Sequence, residues 1–218
     1  MLFLPVFCFF SFLHLLLKGG FADLIDVLMC WVLVLLGAGL LLLLYALRLK
    51  LAGIKVIGFI KGIMPILKEN IMINSAIDAV PLNIRQCSKI FGISRSYLED
   101  AMPVLAQINL DGNCFIIMGI TMILIVSNGA SLLWWNYLLL AILVFFLSIG
   151  APNQPGSILI GVLIIIHYLK IPGMLPVAIY CEVLLGTVQN LINVVGDIVI
   201  SAIDNRSIIA GSSAGSTK

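Results

Sequence analysis

The chain has 218 residues, 62% of them hydrophobic and 10% charged, with a net charge of +2 and a mean hydropathy of +1.21. A soluble domain needs more polar surface than this composition supplies, so the solvent for most of the chain is lipid. So small a charge balance excludes a nucleic-acid partner held by bulk electrostatics. The five dispersed cysteines (Cys8, Cys30, Cys87, Cys114, Cys181) contain no CxxC pair and read as reduced small hydrophobes, not as a disulfide framework or metal site.

Residues 1–52 read as two transmembrane helices. Met1–Leu17 is long enough to span if its tilt is small; the competing reading, a signal peptide, lacks a basic leader and a small-x-small cleavage pattern. Val27–Leu47 carries no charge over 21 residues and ends in Arg48 and Lys50. A bilayer core of about 30 Å needs about 20 helical residues, so this stretch crosses.

The core of the chain occupies 53–203. Its first part, 56–94, opens with VIGFIKGIMPILKENIMI, which is apolar but carries Lys61, Lys68 and Glu69 around Pro65. It is too polar for a lipid-exposed span and too apolar for a soluble loop, and the polar NSAIDAVP (Asn74–Pro81) forms its tip. A long helix follows over 97–129, with INLDGN (Ile108–Asn113) in its middle. Next, 137–169 places two thirteen-residue apolar stretches, Tyr137–Ile149 and Ser157–Leu169, on either side of GAPNQPG. Thirteen helical residues reach about 20 Å, too short to cross, so the pair reads as a re-entrant helical hairpin whose tip is buried in protein or lines a wet cavity. The competing reading is one span with a proline kink. A final helix over 171–203 and a polar, disordered tail over 204–218 complete the chain.

If the first span runs outward, ten of the twelve basic residues fall on the cytoplasmic side: Arg48, Lys50, Lys55, Lys61, Lys68, Arg85, Lys89, Arg95, Arg206 and Lys218. That asymmetry follows the positive-inside rule, and Trp134, Trp135 and Tyr137 suit the outer interface. Each hairpin is then followed by a long helix bearing a carboxylate, once from inside (Val56–Val126) and once from outside (Tyr137–Ile203). The fold class is therefore an all-α integral membrane protein, multi-pass in the cell membrane. It has four transmembrane helices and two re-entrant hairpins in an inverted repeat. Such paired discontinuous elements point to a binding site at the repeat interface.

The last helix carries Glu182, Gly186, Gln189, Asn190, Asn193, Gly196 and Asp197 within an arc of roughly 120°. An ionised carboxylate near the bilayer centre costs about 2.5–3.5 kcal/mol, so this stripe faces protein, water or a cation. Helix-to-helix bonding accounts for the asparagines but does not require a charge. In INLDGN, Asp111 is the one charge between Ala101 and Val126, and Gly112 weakens the helix behind it. Carboxylate, amide and carbonyl oxygens are what a small hard cation takes. Asn109 with Asp111, and Asn193 with Asp197, are the candidate cation ligands. A buried aspartate, protonated or paired with a basic residue, is the alternative.

At these residues the chain resembles the dicarboxylate/amino acid:cation symporter family. LRLKLAGIKVIGFIK resembles the entry to the family's first hairpin, NSAIDAVPLNIR its serine-rich tip, and INLDGN its Asn-Met-Asp-Gly-Thr. SIGAPNQPGS resembles the second hairpin tip, and NVVGD the final helix's Asn-x-x-Gly-Asp. The resemblance runs from about Leu4 to Ile203 and covers the family's C-terminal half.

The resemblance implies an elevator transporter that couples uptake of a small organic solute, amino acid or dicarboxylate, to sodium or protons. It implies hairpin tips around the solute, with the outer one as gate. It assigns Asn109, Asp111, Asn193 and Asp197 to the cation, and sodium is the expected coupling ion. It assigns Ser75, Ala76, Asn113, Gly150, Asn153, Gly156, Gly186, Gln189 and Asn190 to the solute's surroundings. The expected partners are a small polar organic solute, a monovalent cation, the lipid bilayer, and either further copies of the chain or an N-terminal scaffold half.

The departures concern the solute. Gly186 stands where amino-acid carriers have an aspartate, Gln189 where acidic-substrate carriers have an arginine, and Asn113 where the middle motif has threonine. Glutamine cannot offer a carboxylate the charged fork of arginine, and Asp78 at the first tip repels an anion. The cation half of the pattern is intact and the acidic-substrate half is not. The readings left open are a carrier of a neutral or polar solute, a truncated or split carrier, a non-transporting protein that keeps the fold, and a passive channel. An intramembrane aspartyl protease built on Asp111 and Asp197 is disfavoured, because the chain has VVGD where such enzymes have Gly-x-Gly-Asp.

Overall fold

The computed structural model describes residues 20–129, 132–150, 157–170 and 175–215. These residues form eight helices with no strand among them: α1 (Gly20–Leu51), α2 (Val56–Ile73), α3 (Val80–Phe91), α4 (Arg95–Ile108), α5 (Asp111–Ser127), α6 (Trp134–Gly150), α7 (Ser157–Leu169) and α8 (Leu175–Gly215). Three stretches are long and apolar enough to cross a membrane: Trp31–Leu51 in α1, Arg95–Val126 through α4 and α5, and Leu185–Arg206 in α8. Of the four expected spans, Met1–Leu17 lies outside the described residues.

Helix α8 is the axis of the bundle. It packs on α1, α5, α7, α2, α3 and α4, which is why its residues from Leu185 to Ala202 are mostly buried while α1 turns Leu28, Leu36 and Leu43 outward. In lipid the outward leucines cost nothing and drive nothing, so cohesion falls to close packing inside. That packing forms two apolar clusters. One joins Val34 of α1 and Leu185 of α8 to α5, α6 and α7 through residues such as Ile117, Ile120, Val144 and Val162. The other joins Tyr45 and Leu49 of α1 and Ile198 of α8 to α2, α3 and α4 through Phe59, Ile66, Leu98 and Met102. The polar residues of α8, Gln189 to Asp197, lie in the seam between them.

Helices α2 and α3 pack on each other around the turn 74–79. Asn74 ends α2 in the left-handed region (φ 51°, ψ 35°), a conformation Asn tolerates, and its N–H returns to the Asn70 carbonyl at 2.8 Å. The arms are tied by Asn70 Nδ2, which donates to Asn83 Oδ1 at 2.8 Å with both side chains buried. Helices α6 and α7 are likewise separate and in contact, and both lie on α5. Their expected tip residues Asn153 and Gly156 lie outside the described residues.

Two expectations are corrected. The stretch 97–129 is not one helix: α4 stops at Ile108 and α5 starts at Asp111. Asn109 (φ −90°, ψ 71°) and Leu110 (φ −104°, ψ 48°) leave the helical region. An Asp in the first turn of α5 is favoured by the positive end of that helix. The break also frees N–H groups at the start of α5, and one of them is used below. The second correction concerns the tail, which continues as helix through Gly215. No proline stands between Asp204 and Gly215 to stop it. Its first turn is anchored: Asn205 Oδ1 accepts from the Ser94 N–H at 3.2 Å, and the Arg206 guanidinium donates to the Gly53 carbonyl.

Candidate functional site

The break in the α4–α5 rod faces the middle of α8, and the seam closes there with side chains. Asn109, the first residue beyond α4, donates through Nδ2 to Asp197 Oδ1 at 2.9 Å. Two residues on, Asp111 Oδ2 accepts from the Tyr45 hydroxyl of α1 at 2.5 Å. The freed Gly112 N–H donates to Asn193 Oδ1 at 2.7 Å. Asn193 Nδ2 in turn donates to Asn113 Oδ1 at 2.9 Å, and the same oxygen accepts from Gln189 Nε2. Gln189 Nε2 also lies 3.3 Å from Ser157 Oγ, the first residue of α7. Two pairs, Asn109–Asp197 and Tyr45–Asp111, thus adjoin through the 109–113 backbone a series that runs from Gly112 through Asn193, Asn113 and Gln189 to the start of α7.

Backbone proximity makes this possible. A Cβ built on Gly112 would lie 2.8 Å from Asn193 Oδ1 and closer still to the Gln189 carbonyl. A Cβ on Gly196 would lie 2.6 Å from both Asn109 Nδ2 and the Tyr45 hydroxyl. A side chain at Gly112 would meet backbone of α8 and push α5 off it, whereas one at Gly196 would displace the Tyr45 and Asn109 side chains.

Among the expected cation residues, Asn109, Asp111, Asn193 and Asp197 come to this one locus. Asp197 is 1% exposed and Asn193 fully buried. Among the described residues neither carboxylate is paired with lysine or arginine; Asp111 takes a phenol and Asp197 an amide. Among the expected solute residues, Asn113 and Gln189 join the network directly. Asn190 is buried beside it, and its Oδ1 has no partner among the described residues. Gly186 lies one turn along α8, half-buried. Gly150 ends α6, exposed. Ser75 and Ala76 are buried in the 74–79 turn; Ser75 Oγ accepts the Asp78 N–H at 3.3 Å, within its own turn, and Ala76 packs in the α2–α4 cluster.

Sequence reading missed Tyr45 and Ser157. The signal for Tyr45 is a lone phenol in a run of leucines, a group that needs a polar partner when buried. For Ser157 no signal separates it from the neighbouring tip residues.

A family model, the sodium:dicarboxylate symporter family, matches residues 1–207 of the chain. The chain belongs to this family. No curated protein matches it. Membership puts the chain among membrane transporters rather than enzymes. For a symporter the donor set is the informative part of the geometry. Carboxylate, amide and hydroxyl oxygens suit a hard cation, whereas thiol or imidazole ligands would select a softer one. Among the described residues no three His, Cys, Asp or Glu side chains gather.

Proposed function

We propose that this chain carries a small polar organic solute across the cell membrane together with a monovalent cation, sodium in the first instance. The cation would sit between the Asn109–Asp111 segment and Asn193–Asp197. The observation that carries the reading is that Asp111 and Asp197 are both held at the seam, by Tyr45 and Asn109, with no lysine or arginine bonded to either among the described residues. Each ionised carboxylate in such a setting costs about 2.5–3.5 kcal/mol, and one bound cation shared between them offsets that cost. Family membership supports the same reading.

The solute would bind next to the ion, toward the start of α7. The groups there are the amides of Asn113, Gln189 and Asn190 and the hydroxyl of Ser157. These are neutral donors and acceptors. They fit a solute whose recognised end is an amide, hydroxyl or similar uncharged group, and they offer nothing comparable to an arginine fork for a second carboxylate. The Asn190 oxygen, without a partner among the described residues, calls for a donor from the solute.

The α2–α3 and α6–α7 pairs would enter the membrane from opposite faces as re-entrant hairpins, the second acting as gate. The outward apolar surface of α1 would face lipid or a static scaffold, supplied by an N-terminal half or by further copies of the chain. Coupling then follows from binding order: the ion draws the Asn109 and Asn193 amides onto itself, and Asn193 shares Asn113 with Gln189. An empty ion site therefore leaves the solute site misaligned.

The test is reconstitution into liposomes with an imposed sodium gradient and a panel of labelled neutral amino acids, acidic amino acids and dicarboxylates. Concentrative uptake of a neutral polar solute that collapses when sodium is equal on both sides is expected. Uptake indifferent to the sodium gradient would reject sodium coupling, and preference for a dicarboxylate would reject the solute assignment.

A further inference from the structure

Tyr45 belongs to α1, well away in sequence from every residue of the acidic pair, yet it is 3% exposed and its hydroxyl reaches into the seam. Its proton is committed, because it donates to Asp111 Oδ2 at 2.5 Å. A phenolic oxygen with its proton so directed keeps its lone pairs for something else. Close to that oxygen is the Gly196 position. There a built Cβ falls 2.6 Å from the Tyr45 oxygen and the same distance from Asn109 Nδ2, the group that bonds Asp197. The Tyr45 oxygen is therefore bonded to Asp111 of α5 and close to Gly196, the α8 residue next to Asp197. The absence of a side chain on Gly196 is what lets the oxygen stand there.

We propose that Tyr45 is a further residue of the cation site, its hydroxyl orienting Asp111 and giving the ion a neutral oxygen. The inference rests on the cation reading above and adds α1 to the elements that hold the ion. Two carboxylates, two amides and a phenol form an all-oxygen donor set of the kind a hard alkali cation takes. They come from three elements: α1, the α4–α5 break and α8. The phenol adds no charge, so the two carboxylates alone carry the electrostatic attraction. Loss of one group that orients a ligating carboxylate lowers metal affinity by about 10–100-fold in comparable sites.

The experiment is a sodium titration of the purified full chain in lipid nanodiscs, read as the shift in melting temperature against choline chloride at constant ionic strength. Wild type, Tyr45→Phe and Gly196→Ala are compared, with Tyr97→Phe as control. Tyr97 carries its phenol on α4, where it donates to Asp204 at 3.2 Å. The half-saturating sodium concentration is expected to rise about tenfold or more in Tyr45→Phe and in Gly196→Ala, and to stay at the wild-type value in Tyr97→Phe.

A second readout separates ligation from mere packing. Loss of a neutral oxygen favours the smaller ion, which needs fewer ligands, so Tyr45→Phe should weaken sodium more than lithium. A purely structural role would lower the melting temperature in choline and leave the sodium-to-lithium ratio unchanged. Gly196→Ala keeps the phenol and crowds it together with Asn109 Nδ2, so it tests the seam around Tyr45 even where Tyr45→Phe fails to fold. Unchanged or tighter sodium binding in either folded variant overturns the proposal. So does an unchanged sodium-to-lithium ratio. A wild-type chain with no sodium response overturns both this proposal and the cation reading, whereas a wild-type response shared equally by the variants overturns only the role of Tyr45.

Discussion

Gly112→Ala is the sharpest test of how the seam is built. The added methyl would meet Asn193 Oδ1 at 2.8 Å and the Gln189 carbonyl at a still shorter distance. The first is a side chain that can move; the second is backbone of the central helix and cannot. Overpacking of this kind costs about 1–3 kcal/mol. Moving Asn193 also breaks its bonds to the Gly112 N–H and to Asn113 Oδ1, at about 1 kcal/mol each. Against this, alanine gains about 0.5–1 kcal/mol over glycine in a helix. The net cost is about 2–4.5 kcal/mol, which at about 2–4 °C per kcal/mol for a chain of this size lowers the melting temperature by about 4–18 °C.

Gly119→Ala in the same helix is the comparison. Its nearest neighbour would be Val34 Cγ2 at 3.5 Å, an ordinary contact, so only the helical gain remains. Thermal melts in nanodiscs should place Gly119→Ala at or above wild type and Gly112→Ala well below it. Equal melting of Gly112→Ala and wild type, or an equal fall in both variants, would refute the close approach of α5 to α8.

Gln189 bonds Asn113 and Ser157 but neither carboxylate, so Gln189→Ala should change the order of solute preference in competition uptake while the half-saturating sodium concentration moves less than threefold. Asn70→Leu leaves the buried Asn83 Oδ1 without its donor from the opposite arm, at about 1–3 kcal/mol; maleimide labelling of Ser75→Cys should accelerate in that background. Arg95 and Glu99 form an exposed i,i+4 pair at 2.9 Å, worth about 0.3–0.5 kcal/mol. Glu99→Gln should therefore shift the melting temperature by no more than about 2 °C.

Much of this arrangement is legible in the chain itself. The uncharged run ending at Arg48 and the apolar stretch before the second tip declare their helices by length and composition. The arc of Gln189, Asn193, Gly196 and Asp197 on α8 declares an inward polar face by its spacing, because lipid penalises each of those groups. The break at Asn109–Leu110 is harder to see. Ile108 and Leu110 keep the apolar pattern going, and the departure from helix is stabilised by bonds to Asp197 and Asn193, some eighty residues away. Tyr45 was hidden for the same reason: its partner Asp111 is a tertiary neighbour, and nothing local distinguishes a phenol that bonds a carboxylate from one that packs among leucines. The tail misled in the opposite way. Its serines and glycines read as disorder, yet α8 continues through it past the anchors of Asn205 and Arg206 to Ser94 and Gly53, a continuation that local propensity alone would not sustain.

The central claim is that the two carboxylates of the seam, bonded to a phenol and an amide and to no basic residue among the described ones, hold a monovalent cation. Calorimetric titration of the purified chain with sodium, for wild type and Asp197→Asn side by side, addresses it most directly. Asparagine keeps the shape of the side chain that Asn109 contacts and removes only its charge. Saturable sodium binding in wild type that disappears in Asp197→Asn, with the variant still folded, is the expected result. Equal sodium binding by the two proteins, or none by either, would contradict it.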